Sequence, residues 1–157
     1  MKGNQFTLGL TSVSAMIKVN IINKSDNPLP CYAKKGDAGM DIRASEDVCI
    51  KPFNQAIIPT GIYLEIPEGY ECQIRSRSGL AAKHGINVMN SPGTIDSGYR
   101  GEIKVILNNH HFQSYDVKKG DRVAQMVFAP VTVATFNEVT ELTDSERGEG
   151  GLGSTGK

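Results

Sequence analysis

Chemistry is easiest to imagine in NSPGTIDSGYRG, residues 90–101, where one carboxylate and one phenol ring stand among three glycines and a proline. That composition predicts a tight hairpin or turn. Gly93 would let another molecule approach the backbone closely, and exposed N–H and C=O groups could read the edge of a base. Asp96 could take a proton from water, and the flat face of Tyr99 could exclude a sugar's 2′-hydroxyl. The plainer reading is a turn with its usual Asp and Gly. A second candidate is Arg77-Ser78-Gly79. At a helix start it would put a guanidinium, a hydroxyl and free backbone N–H groups on one point, which suits an anion. An ordinary Ser-capped helix uses the same residues. Asp41, inside the apolar stretch AGMDIRA, is either an outward-facing polar position or a carboxylate turned toward a hydrated metal ion. Gln125, in GDRVAQM, is a polar group among apolar neighbours after the Lys118–Asp121 turn.

The last seven residues, GLGSTGK, fit the pattern G-x-x-x-x-G-K of a phosphate loop. TDSERGEG before them does not read as a buried strand, and no Ser or Thr follows Lys157. An ATPase phosphate loop is therefore not expected. A Gly-rich tail or a mobile arm that orders on a ligand remains; Arg147, Ser154 and Thr155 would suit a polyphosphate.

Many short Ile/Val-rich segments, broken by Gly, Pro, Asn and Asp, must carry these groups. We expect strands at Ile17–Ile22, Met40–Arg43, Val48–Ile50, Ala56–Ile58, Ile62–Ile66, Glu71–Ile74, Ile103–Leu107, Val123–Phe128 and Val131–Phe136. One helix is expected, over Gly79–His84. Such spacing predicts an all-β sandwich or jelly roll, and the lack of longer helical periodicity disfavours a parallel α/β fold. A chain of 157 residues makes one domain. Residues 1–15 read as a poorly ordered extension and a poor signal peptide, 16–137 as the β domain, and 138–157 as a tail. Net charge is zero with no basic block, which argues against stable nucleic-acid binding. No apolar run reaches membrane-spanning length. Cys31, Cys49 and Cys72 are an odd number at unpatterned spacing and suggest reduced thiols of an intracellular, cytoplasmic protein. His110-His111 has no ligand-spaced partner and reads as a surface turn.

Taken in order, SGLAAKHGI, GTIDSGYRGE, KKGDRVAQ and RGEGGLGSTG resemble the motifs of the trimeric dUTPase family, from about Met16 to the end of the chain. The resemblance implies a jelly-roll-like β subunit with one short helix and a flexible C-terminal arm. It implies Mg²⁺-dependent hydrolysis of dUTP to dUMP and pyrophosphate, by a homotrimer with active sites between subunits. By position, Asp96 matches the base that activates water, and Tyr99 the residue under the deoxyribose. Asn90, Gly93, Thr94 and Ile95 match the uracil-accepting hairpin, with Lys104 near the substrate on the following strand. Arg77, Ser78 and Gly79 match the phosphate site; Asp41, through water, and Gln125 match groups supporting Mg²⁺ and the phosphates. Arg147, Leu152, Gly153, Ser154 and Thr155 fall on the arm that closes on a neighbour's site.

Two positions depart from the family pattern: Leu152 replaces the usual aromatic or His, and Ser76 the Pro often found before Arg77. A related dCTP deaminase would need a carboxylate on the strand after the hairpin. Ile106 occupies that position, and Glu102 is displaced from it. A non-catalytic nucleotide-sensing module is the other rival, against which the intact Asp96 and arm argue.

Overall fold

The computed structural model describes residues 16–151. Eleven strands and one helix are present among them: β1 Asn20–Asn23, β2 Met40–Arg43, β3 Val48–Ile50, β4 Gln55–Pro59, β5 Ile62–Glu65, β6 Tyr70–Arg75, α1 Ser78–His84, β7 Ile86–Val88, β8 Gly93–Ile95, β9 Lys104–Asn109, β10 Tyr115–Val117 and β11 Arg122–Pro130. A four-stranded sheet in the order β2-β11-β6-β8 and a three-stranded sheet β4-β9-β7 are joined by the two-stranded ladders β1-β5 and β3-β10. Every pairing is antiparallel. This is the all-β, jelly-roll-like arrangement that the strand spacing predicts.

Alternation explains the core. In β9, Val105, Leu107 and Asn109 point inward while Lys104 is exposed. With Ile42, Ile50, Ile58, Ile86, Val123 and Met126 they enter one continuous apolar cluster. Asn109 is polar, like the buried Thr60, and is fully buried because its Nδ2 donates to the carbonyls of Ile50, Lys51 and Gln113 and its Oδ1 accepts from the His111 N–H. His110 and His111 lie in an exposed turn, as expected.

Three expectations need correction. The first strand begins at Asn20 rather than Ile17. Val131–Phe136 is not a strand: β6 begins at Tyr70 opposite Pro130, and after the Val131 N–H bonds the Gly69 carbonyl no strand pairs with it among the described residues. Val133 and Phe136 are 85% and 100% exposed, so apolar pattern without a partner strand makes no sheet. Finally, β7, β8 and β10 are strands beyond those expected, fixed by their pairing with β9, β6 and β3 rather than by a local pattern.

Candidate active site

The candidate residues gather in two places. At the first, the long strand β11 lies between β2 and β6 and sets Gln125 opposite both Asp41 and Arg75. A bulge at Arg122–Ala124 buries Val123 and Ala124 in succession and turns Arg122 outward. Asp41 then takes a guanidinium on each oxygen: Arg77 Nε at 2.9 Å on Oδ1 and Arg122 Nη1 at 3.1 Å on Oδ2. Arg77 also donates to the Arg122 carbonyl at 2.9 Å. Two cations thus share one anion, leaving a net positive cluster beside the start of α1.

Arg77, in extended conformation, caps α1, and no side chain bonds the free amides. The first backward bond is from the Ala81 N–H to the Arg77 carbonyl, so the amides of Ser78, Gly79 and Leu80 precede the helical ladder. The Ser-capped reading therefore fails: Ser78 is already helical, and both Ser78 and Gly79 are exposed. Gln125 Nε2 donates to the Ser76 carbonyl at 3.1 Å. It packs so tightly on Gly39 that a Cβ there would lie 2.6 Å from Gln125 Oε1. Ser76, given no role by its sequence, accepts the Val88 N–H on Oγ at 2.9 Å and so fixes the turn ahead of Arg77.

The second cluster is the hairpin after β8. Thr94, Ile95, Asp96, Tyr99, Glu102 and Lys104 line a cavity of about 190 Å³. The Tyr99 N–H bonds the Asp96 carbonyl at 3.1 Å, and the Tyr99 hydroxyl donates to the Glu102 carbonyl at 2.9 Å. The Asp96 side chain is exposed to the cavity. Lys104 Nζ is 3.8 Å from Glu102 Oε2. Asn90 packs over the buried Gly93 at the hairpin's entrance.

These clusters do not meet. β8 pairs with β6 through Cys72–Ile95 and Ile74–Gly93, and Asp96 continues to the Glu71 end, where both line one surface groove. From Glu71 to Arg77 the chain runs roughly 20 Å at about 3.3 Å per residue. Asp41 lies farther still, across β11 on the opposite side of the sheet. The hairpin cavity is also smaller than the roughly 300 Å³ from which small-molecule pockets start. Within one chain the two clusters stand apart. Arg147, the arm residue inside the described region, donates to the Gly150 carbonyl of its own turn and joins neither cluster. Leu152, Gly153, Ser154 and Thr155 lie outside the described residues.

Two participants escaped the sequence reading. Arg122 was visible beside Gln125, but its partnership with Asp41 depends on strand register. Glu102 appeared only as a displaced proton carrier; its Oε1 accepts the N–H groups of Thr60 and Gly61 at 3.1 and 2.9 Å. No group of three or more His, Cys, Asp or Glu residues among those described could cage a metal ion.

The fold is a jelly-roll-like β domain with a net positive cluster beyond one end of β6 and a hairpin cavity at the other. The dUTPase family model matches residues 25–156, and the chain belongs to that family. It is 55% identical over 141 residues to the deoxyuridine 5′-triphosphate nucleotidohydrolase of Nautilia profundicola, covering 90% of this chain and 99% of the relative. The same-named protein of Finegoldia magna is 51% identical over 142 residues, covering 89% and 99%. Among solved structures, a mutant dUTPase of Staphylococcus bacteriophage 80alpha with dUpNHpp superposes with a TM-score of 0.83 at 30% identity, covering 90% of this chain and all of that one. A mutant dUTPase from phage phi11 of S. aureus, described as coordinating a structural Mg(II) ion, gives 0.75 at 26% identity, covering 82% and 100%.

Proposed function

We propose that this chain hydrolyses dUTP to dUMP and pyrophosphate, which limits uracil incorporation into DNA and supplies dUMP for thymidylate synthesis. The observation that carries the detailed reading is the split site. A general base and a phosphate clamp acting on one triphosphate must each come within hydrogen-bond reach, about 3 Å, of the same nucleotide or its attacking water. Asp96 and Arg77 of one chain lie roughly 20 Å apart along β6. A second copy must bring its hairpin to the Arg77 cluster. The family's homotrimer provides this arrangement, and the exposed apolar side chains of Val133, Phe136 and Leu142 are consistent with a segment that another copy covers.

In this reading the Thr94–Ile95 backbone and Asn90 receive uracil, and Tyr99 packs under the deoxyribose where a ribose 2′-hydroxyl would collide with it. Arg77 and the amides of Ser78 and Gly79 hold phosphate oxygens, and Gln125 supports them. Lys104 stands beside the sugar–phosphate junction. Asp96 takes the proton of the water that attacks the α-phosphorus. Phosphoryl chemistry asks mainly for alignment and neutralised charge, and the arginines supply both. The arm, with Arg147, Leu152, Gly153, Ser154 and Thr155, closes over the nucleotide of a neighbouring site.

The donor set fits a Mg²⁺ that arrives with the triphosphate. The described residues offer hard oxygens and no cage of three or more ligands, and Mg²⁺ keeps several waters and binds substrate phosphates. Asp41, with both oxygens on guanidinium groups, would reach such an ion through water. When bound, the ion neutralises the phosphate oxygens.

The test is pyrophosphate release from dUTP, UTP, dTTP and dCTP side by side, with and without Mg²⁺, with ammonia assayed. Release from dUTP alone, abolished by chelation, is expected. Ammonia from dCTP would replace this reading with a deaminase. Binding of dUTP without turnover would replace it with a nucleotide-sensing module.

A further inference from the structure

Sugar discrimination by Tyr99 depends on the ring holding still, because a ring that yields cannot exclude a hydroxyl. We infer that Glu102 is the positioning residue that holds it, by bolting the hairpin to the β4–β5 turn; this rests on the Tyr99 reading above.

The ring is folded back against its own hairpin. A Cβ on Gly101 would lie 2.5 Å from Tyr99 Cζ, so only glycine leaves room for this pose. The hydroxyl donates to the Glu102 carbonyl at 2.9 Å. That carbonyl shares its peptide plane with the Ile103 N–H, which donates to the Ile62 carbonyl at 2.8 Å. One rigid planar unit therefore has Tyr99 on one end and strand β5 on the other. The chain of bonds Tyr99 O–H to Glu102 C=O, then Ile103 N–H to Ile62 C=O, polarises in one direction, which strengthens each link.

The Glu102 carboxylate supplies a second anchor. Its Oε1 accepts the N–H groups of both Thr60 and Gly61. Thr60 is fully buried, and its hydroxyl donates to the Ile103 carbonyl at 2.6 Å while accepting the Ile62 N–H at 3.2 Å. Residues 102 and 103 are thus held on side chain, carbonyl and amide by a turn rooted in the core. Ile103 is itself fully buried. A carboxylate accepting two backbone N–H groups is committed to structure, which also explains why Glu102 carries no proton to a base.

The experiment measures kcat and KM for dUTP and UTP in the wild type and in Glu102→Ala, Glu102→Gln, Tyr99→Phe and Tyr99→Ala, with assembly and Tm checked for each. Tyr99→Ala should abolish most sugar discrimination. If it does not, the gate reading fails and the inference falls with it. Given that result, Glu102→Ala should raise kcat/KM for UTP roughly tenfold, on the scale of one or two lost hydrogen bonds, mostly through a lower KM. Both nucleotides feel the lost Lys104 contact alike, so the readout is the ratio of kcat/KM for UTP to that for dUTP, which should rise roughly tenfold. Glu102→Gln, whose amide oxygen still accepts both N–H groups, should restore discrimination. A folded Glu102→Ala that discriminates like the wild type overturns the inference while leaving the gate intact, as does a Gln variant no better than Ala. Should Glu102→Ala fail to fold, Tyr99→Phe cuts the other link of the same anchor, the hydroxyl bond to the Glu102 carbonyl. It should relax discrimination toward the Tyr99→Ala value, and unchanged discrimination there overturns the inference.

Discussion

Asp96 and Asp41 are both carboxylates two residues from a glycine, and their surroundings separate their proposed roles. Asp96 is exposed at the mouth of a cavity, while Asp41 has a guanidinium on each oxygen. Asp96→Asn should lower turnover by at least about 10²-fold, the usual worth of a general base, while isothermal titration still shows dUTP binding. Near-normal turnover would remove Asp96 from its role. Asp41→Ala leaves Arg77 and Arg122 facing each other with no shared anion. The pairs are partly solvated, which discounts their strength, so we expect KM for dUTP to rise about tenfold rather than a hundredfold. An unchanged KM would mean that the arginines need no such alignment. Leu152, on the arm, can cover a base but has no flat face. Since stacking on an aromatic is worth about 1–3 kcal/mol, Leu152→Phe should lower KM. An unchanged or higher value would count against base contact there.

Among the elements, β6 does the most to place the chemistry. It pairs with β11 on one side and β8 on the other, and so carries the anion cluster at its end and the hairpin at its start. Its middle is sealed by Cys72, buried between Phe128 and Ile95, with its thiol pushed up to about 12 mainly by burial. At pH 8 iodoacetamide should leave Cys72 unmodified in the native protein and label it after unfolding, as peptide mass spectrometry would show. Labelling of native Cys72 would mean that the β6 ladder opens readily. The same burial has a pH signature. The unfolded thiol ionises near 9.0 and the folded one near 12, so the unfolded state loses its proton first. This contribution is intact below pH 9 and is lost as pH rises toward 12, visible as a falling denaturation midpoint that Cys72→Ala would flatten.

At the scale of the whole molecule, the proposed split site would make catalysis a property of the assembly. Asp96→Asn and Arg77→Ala chains should each be nearly inactive alone. Co-assembled in equal amounts, they should regain about a quarter of wild-type activity, because random mixing gives that share of interfaces an intact hairpin and an intact clamp. No recovery, with mixed oligomers demonstrated by mass spectrometry, would place the complete site within one chain. The same geometry predicts that dilution below the assembly constant lowers activity per chain.

Residue types and close spacing were enough to identify the chemistry. Asp96 and Tyr99 three residues apart among glycines, and Arg77-Ser78-Gly79 before a short helix, are local statements that neighbouring residues alone can make. Regular breaks between Ile/Val segments likewise indicated an all-β fold, because alternation is set residue by residue. Strand pairing is different, since it sums core packing and backbone hydrogen bonds over the whole chain. Only the tertiary structure could therefore bring Asp41 to Arg77 and Arg122, 36 and 81 residues away, or tie Glu102 to Thr60. It alone could also leave Val131–Phe136 without a partner and set Asp96 and Arg77 at opposite ends of β6. The sequence determined which groups this protein has for its chemistry; the register of its sheets decided that one copy holds them apart.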